Sequence, residues 1–97
     1  MILNMSIPYL CQGTSMLPTI AKLSWVRIKK MDSYKVGDVI SLKTHDKLHH
    51  VHRITEITNE WVSTKGDNLY QQWYEIKVQL KDIDGLLVWQ YPKSKSY

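Results

Sequence analysis

The sequence predicts an all-β domain, a small antiparallel barrel or sandwich. Three observations carry this. Short runs of strand-forming residues follow one another at close spacing, and no stretch sustains a long 3.6-residue apolar period. The aromatic residues, four Trp and six Tyr with no Phe, are of the kind that favours strands and half-buried sheet surfaces. The 97 residues are enough for one domain, 1–97, and a second independent core would not fit.

The elements follow in order. Ile2 to Leu10 mixes apolar and polar residues and reads as an extended entry segment. Gly13 to Thr19 is a loop or turn, because Pro18 restricts Leu17 and cannot donate a backbone bond. Trp25 to Lys29 alternates apolar and polar residues and is a strand. Asp32 to Gly37 is a turn, and Asp38 to Lys43 a second strand with Ile40 and Leu42 on one face. Leu48 to Thr58 is the longest strand candidate, bent or joined through a hairpin around Asn59 to Trp61–Thr64. Period-two alternation puts His50, His52 and Ile54 on one face and Val51 and Arg53 on the other. Lys65-Gly66-Asp67-Asn68 is turn chemistry with a charged tip. Leu69 to Tyr74 is a helical turn or loop, Glu75 to Leu80 is compatible with several conformations, and Gly85 to Tyr91 is the last strand.

Composition bounds the function. The formal charge of +4 is spread along the chain, which suits a solvated basic surface, and no zinc-finger, helix-turn-helix or RNA-binding signature points to nucleic acid. Cys11 is the lone cysteine, so no internal disulfide forms, and nothing near it suggests a thiolate nucleophile. No stretch approaches the roughly 18 apolar residues that span a bilayer. The first residues lack the basic leading segment of a secretory signal. The expectation is a soluble chain, leaning to the cytoplasm, with membrane association if an anchor or an anchoring partner is missing. His45, His49, His50 and His52 invite a metal, but no Cys or close carboxylate completes a set, so neither metal nor cofactor is expected.

Chemistry concentrates in Gly13-Thr14-Ser15-Met16-Leu17-Pro18-Thr19. A serine lies just after a glycine that lets the backbone approach a substrate, and a proline stiffens the turn beyond it. Those features permit a nucleophile without requiring one, and a plain turn has the same composition. The segment resembles the Gly-x-Ser-Met-x-Pro-Thr box around the nucleophile of the signal peptidase I family. Further boxes follow in the family's order: Val36-Gly37-Asp38-Val39-Ile40, His52-Arg53-Ile54, Thr64-Lys65-Gly66-Asp67-Asn68, and Asp82-Ile83-Asp84-Gly85-Leu86-Leu87-Val88. The resemblance runs from about Gly13 to Trp89. His followed by Arg at His52-Arg53 is similar to the endoplasmic-reticulum and archaeal branch, where histidine replaces the lysine base of bacterial signal peptidases and of self-cleaving repressors of the SOS type.

The resemblance implies the small all-β fold of those peptidases and a serine endopeptidase that shortens signal or leader peptides. Ser15 would be the nucleophile and His52 its general base, since an unassisted hydroxyl is a poor nucleophile near neutral pH. Asp67 would orient the imidazole, and the Ser15 backbone N–H would hold the oxyanion. Gly13, Thr14, Met16, Leu17 and Pro18 would line the substrate. The implied partner is an extended peptide, with a membrane surface, on which Trp73 and Trp89 would lean, or an anchoring protein as a second neighbour; the tryptophans otherwise read as core and rim. Arg53 would make a supporting salt bridge, and Lys65 would be structural or substrate-facing. Three departures stand out: Leu23-Ser24 replaces the family's Gly-Asp, Gln71-Gln72-Trp73 lies where relatives of the reticulum type have a second acid, and the amino-terminal membrane helix is missing from the sequence as given. The competing reading is a catalytically inactive peptide-binding module on the same fold.

Overall fold

The computed structural model describes residues 6–11, 13, 15–21, 23–44, 49–71 and 75–92. The strands are β1 (Tyr9–Cys11), β2 (Ser24–Lys29), β3 (Val39–Lys43), β4 (His49–Ile57), β5 (Val62–Lys65), β6 (Glu75–Val78) and β7 (Ile83–Tyr91). They form one curled sheet, a half-barrel in the order β1-β2-β7-β3-β4-β5-β6, and every neighbouring pair is antiparallel. The fold is all-β, as the strand spacing predicts. Leu69–Gln71 and Leu80–Asp82 are single 3-10 turns. Among the described residues no helix is long and apolar enough to cross a membrane.

Two apolar clusters hold the sheet, one on each side. Ile40, Leu42, Ile54, Val62, Ile76, Val78 and Ile83 form the larger. Cross-strand register explains it: Ile54 sits opposite Thr64, which sits opposite Ile76, so the same face of successive strands points inward. The residues between them point the other way. Val51 of β4 packs there with Met16 and Ile20, and Cys11, Val39 and Leu87 lean on that second cluster. Val51 is therefore buried although it lies on the face opposite His52. The segment after β1 covers it.

The core is aliphatic. Trp25, Trp61 and Trp89 are 47%, 45% and 40% exposed, so the described tryptophans belong to the rim and none is core. Trp73 lies outside the described residues. Trp89 stacks on Tyr91, and Arg27 lies over the Trp89 ring. Trp25 faces Tyr91, and Arg27 faces Trp89, across the β2–β7 ladder.

Two turns explain how the sequence reaches its strands. Gly37 adopts φ 98°, the left-handed region that glycine enters without steric cost, and its N–H bonds the Ile54 carbonyl at 2.9 Å. The turn before β2 has φ 61° at Leu23. This is the place where the resembling family carries Gly-Asp. The turn is kept, with a leucine in the conformation a glycine prefers, and Ser24 Oγ donates to the Ala21 carbonyl at 2.6 Å.

Candidate active site

β4 delivers the imidazole. His52 faces Ile40 across the β3–β4 ladder, on the same strand face as Ile54, and only 1% of it is exposed. Its Nδ1 lies 3.4 Å from Thr64 Oγ1. The His50 ring meets it edge to face, with centroids 5.8 Å apart. Burial favours the uncharged ring and, with His50, lowers the His52 pKa to about 4 against a smaller upward pull from Asp67. The imidazole is neutral at pH 7.

β5 and the turn beyond it deliver the serine. The β4–β5 ladder runs as far as Arg53 opposite Lys65, and Gly66 leaves the ladder beside His52, the next residue of β4. Ser15 sits on Gly66: a Cβ built at Gly66 would overlap the Ser15 carbonyl oxygen and come within 2.8 Å of Ser15 Cβ. The absence of a side chain is what admits the serine loop here. The Ser15 carbonyl accepts the Asn68 N–H at 2.8 Å. Residues Ser15 to Thr19 form a continuous turn, closed by the Ile20 N–H on the Met16 carbonyl at 2.9 Å. Thr64 and Gly66, two residues apart, thus touch His52 and Ser15 respectively.

Asp67 ties three segments together. Its Oδ1 accepts Arg53 Nε at 2.9 Å and its Oδ2 accepts Arg53 Nη2 at 2.7 Å, a bidentate pair. Thr19 Oγ1 also donates to Oδ2. The hydrogen bond from Arg53 is the largest influence holding the Asp67 carboxyl below its usual range, and the Asp67 hydrogen bond raises Arg53 in turn. Arg53 Nη1 reaches the Gly37 carbonyl at 2.7 Å. One guanidinium therefore joins the turn before β3, β4 and the turn after β5, while Thr19 fastens the end of the serine loop. This is the supporting salt bridge expected of Arg53.

The remaining candidates scatter around this arrangement. Met16 is 2% exposed and packs in the second core cluster. Leu17 is half-buried, and Pro18 and Gly13 are exposed. A side chain at Gly13 would meet nothing within 4 Å, so the space beside it is open. Thr14, Gln72 and His45 lie outside the described residues. Cys11 is half-buried, with burial raising its pKa, which disfavours a thiolate. Sequence reasoning missed Thr64 and Thr19 as partners. Both are members of recognisable boxes, but a hydroxyl's partner depends on which strand lies opposite, and neither box states that.

Over 68 residues, 65% of this chain, the sequence is 32% identical to signal peptidase I P of Bacillus subtilis subsp. natto. The chain spans 37% of that relative's length. No protein-family model matches the chain, and no solved structure gives a match. The chain has a signal-peptidase-like relationship, partial in length and low in identity.

Proposed function

We propose that this chain is a serine endopeptidase of the signal peptidase type, with Ser15 as nucleophile, His52 as general base and signal or leader peptides as substrates. The observation that carries the reading is the seating of Ser15 on Gly66, where the chain leaves the β4–β5 ladder beside His52. The partial similarity to a signal peptidase I supports the same class. In this reading an extended peptide lies next to Ser15 along the part of β4 that continues past the end of β5, as strand addition allows. Small side chains precede the cut, as the family resemblance implies.

The chemistry follows from the groups. Ser15 Oγ attacks the scissile carbonyl while the neutral His52 imidazole takes its proton. The Ser15 backbone N–H, exposed to the developing charge, stabilises the tetrahedral oxyanion. The imidazolium then protonates the leaving amine, and water releases the acyl group by the reverse sequence. A base with a pKa near 4 stays unprotonated at mildly acidic pH, so the rate falls only as pH drops through about 4. Asp67 sets the geometry of the serine loop through Thr19 and Arg53, and its negative charge favours imidazolium as it forms. The outward row of Trp25, Trp89 and Tyr91 beside Arg27 supports a membrane surface as a second neighbour, since such side chains suit the headgroup region.

Incubating the purified chain with leader-bearing peptides and mapping products by mass spectrometry tests the reading. Cleavage should occur at one position and be lost, by at least roughly a thousandfold, in Ser15→Ala and His52→Ala. Retained hydrolysis in Ser15→Ala ends the nucleophile assignment. Binding of peptide without cleavage would favour the inactive module instead.

A further inference from the structure

Thr64 is fully buried and its hydroxyl lies between two polar groups. Oγ1 is 3.0 Å from the Ile76 carbonyl oxygen and 3.4 Å from His52 Nδ1. A carbonyl oxygen has no proton to give, so the single hydroxyl proton of Thr64 points at Ile76. The same oxygen then offers His52 only lone pairs. A favourable contact requires Nδ1 to carry the proton, and in a neutral ring this leaves Nε2 as the unprotonated nitrogen. The distance is long for an N–H···O bond, but both residues are shielded from water, and a misdirected lone pair at this site has no solvent to relieve it.

From this arrangement we infer that Thr64 is the positioning residue of the site: its hydroxyl, anchored on the Ile76 carbonyl, fixes His52 as the Nδ1–H tautomer and leaves Nε2 to take a proton. The family resemblance would give this task to a carboxylate, yet both Asp67 oxygens accept hydrogen bonds from Arg53, and Thr19 adds a third. Asp67 therefore acts on the ring through its field and Thr64 through contact. Among the described residues, the charged or titratable groups whose fields act on His52 include His50, edge-on from the same strand, and Asp67 from the turn after β5. The division is physically sensible. A neutral hydroxyl selects a tautomer without bringing a second charge into a buried site, where an extra ionised group would be costly. β6 takes part as well, because the Ile76 carbonyl decides which way the hydroxyl faces.

The tautomer assignment stands independently of catalysis, and its catalytic consequence rests on the peptidase reading. The test uses the full chain with ¹⁵N-labelled histidine at pH 7. Wild type should show a protonated Nδ1 and an unprotonated Nε2 at His52. Thr64→Val, which keeps the shape and removes the hydroxyl, should shift that pattern toward mixed tautomers, and Thr64→Ser should restore it. A wild-type proton on Nε2, or an unchanged pattern in a folded Thr64→Val, overturns the inference. The wild-type spectrum alone decides the case if Thr64→Val does not fold. The rate of Ser15 labelling by a fluorophosphonate supplies the second readout. It should fall roughly ten- to a hundredfold in Thr64→Val and recover in Thr64→Ser. Wild-type Ser15 that resists the reagent would overturn the peptidase reading while leaving the nitrogen spectra to judge Thr64.

Discussion

The two faces of β4 handle polar groups in opposite ways. On the inner face His52 is buried beside Ile40 and kept uncharged, its contacts including a hydroxyl and another imidazole ring. One residue on, Arg53 faces outward, keeps its charge, and donates from Nε and Nη2 to Asp67 and from Nη1 to the Gly37 carbonyl. Strand alternation makes this separation automatic, since adjacent side chains point to opposite faces. A neutral base and a permanent ion pair can thus stand next to each other in sequence without sharing a dielectric environment. The ion pair clamps the serine loop from outside, and the dry face sets the protonation state of the base.

The largest expected effect tests the inner face. Because the folded His52 pKa is lowered from 6.5 to about 4, the unfolded chain binds a proton there that the native chain refuses. Stability is therefore full above pH 6.5 and declines as pH falls toward 4, by roughly 3 kcal/mol at about 1.4 kcal/mol per pKa unit. Urea midpoints measured between pH 7 and pH 4 should show the decline, and His52→Gln should flatten it. A wild-type curve no steeper than that of the variant would remove the account of the dry face.

Next comes the seat of the serine loop on Gly66. Gly66→Ala puts a methyl group into the Ser15 backbone, and accommodating it should cost about 2–3 kcal/mol. The Asn68 amide, now bonded to the Ser15 carbonyl, should exchange with solvent much faster. Protection at Asn68 equal to wild type would mean that Ser15 is not held where Gly66 admits it.

The outer face should matter less, because Arg53 and Asp67 are only partly buried, with 37% and 18% of their side chains exposed. Asp67→Asn keeps the size and removes the charge, and should cost about 1–2 kcal/mol at pH 7. The folded Asp67 pKa lies below 3.8, so the wild type loses this stabilisation only as pH falls below about 3.8, under the His52 window. Chemical denaturation of both proteins should find the difference at pH 7 and show it shrinking as pH is lowered progressively below 3.8.

The smallest effect lies away from both faces. Leu23 is 55% exposed at φ 61°, so Leu23→Gly gives up little burial and relieves an unfavourable backbone conformation. It should stabilise by about 1 kcal/mol, raising Tm by about 4–8 °C. A lowered Tm would show that the leucine side chain contributes more than its backbone costs.

Much of the fold was legible because its causes are local. Trp25–Lys29, Asp38–Lys43 and Leu48–Thr58 each match an observed strand to within a residue or so, and the pairs predicted to share a strand face, Ile40 with Leu42 and His52 with Ile54, are all buried. What was not legible has a common form. The resemblance places Met16 beside the substrate, and its packing under β4 with Val51 is not visible from its neighbours in sequence. The composition reads the tryptophans as core and rim, and the three described ones are rim. In both cases the composition was right, and the layer that covers each side chain was not a property of its neighbours in sequence.

The order of residues along the chain is enough to set periodicity: which residues alternate, where the chain must turn, and that Ser15, His52 and Asp67 sit in recognisable boxes. Partnership came from the assembled sheet. Thr19 reaches Asp67 across 48 positions, Arg53 reaches it across 14, and Thr64 meets both His52 and Ile76 across 12. A side chain's direction follows from its own backbone, but its hydrogen-bond partner, its burial and its pKa depend on which distant strand is laid beside it, and that is a property of the assembled sheet.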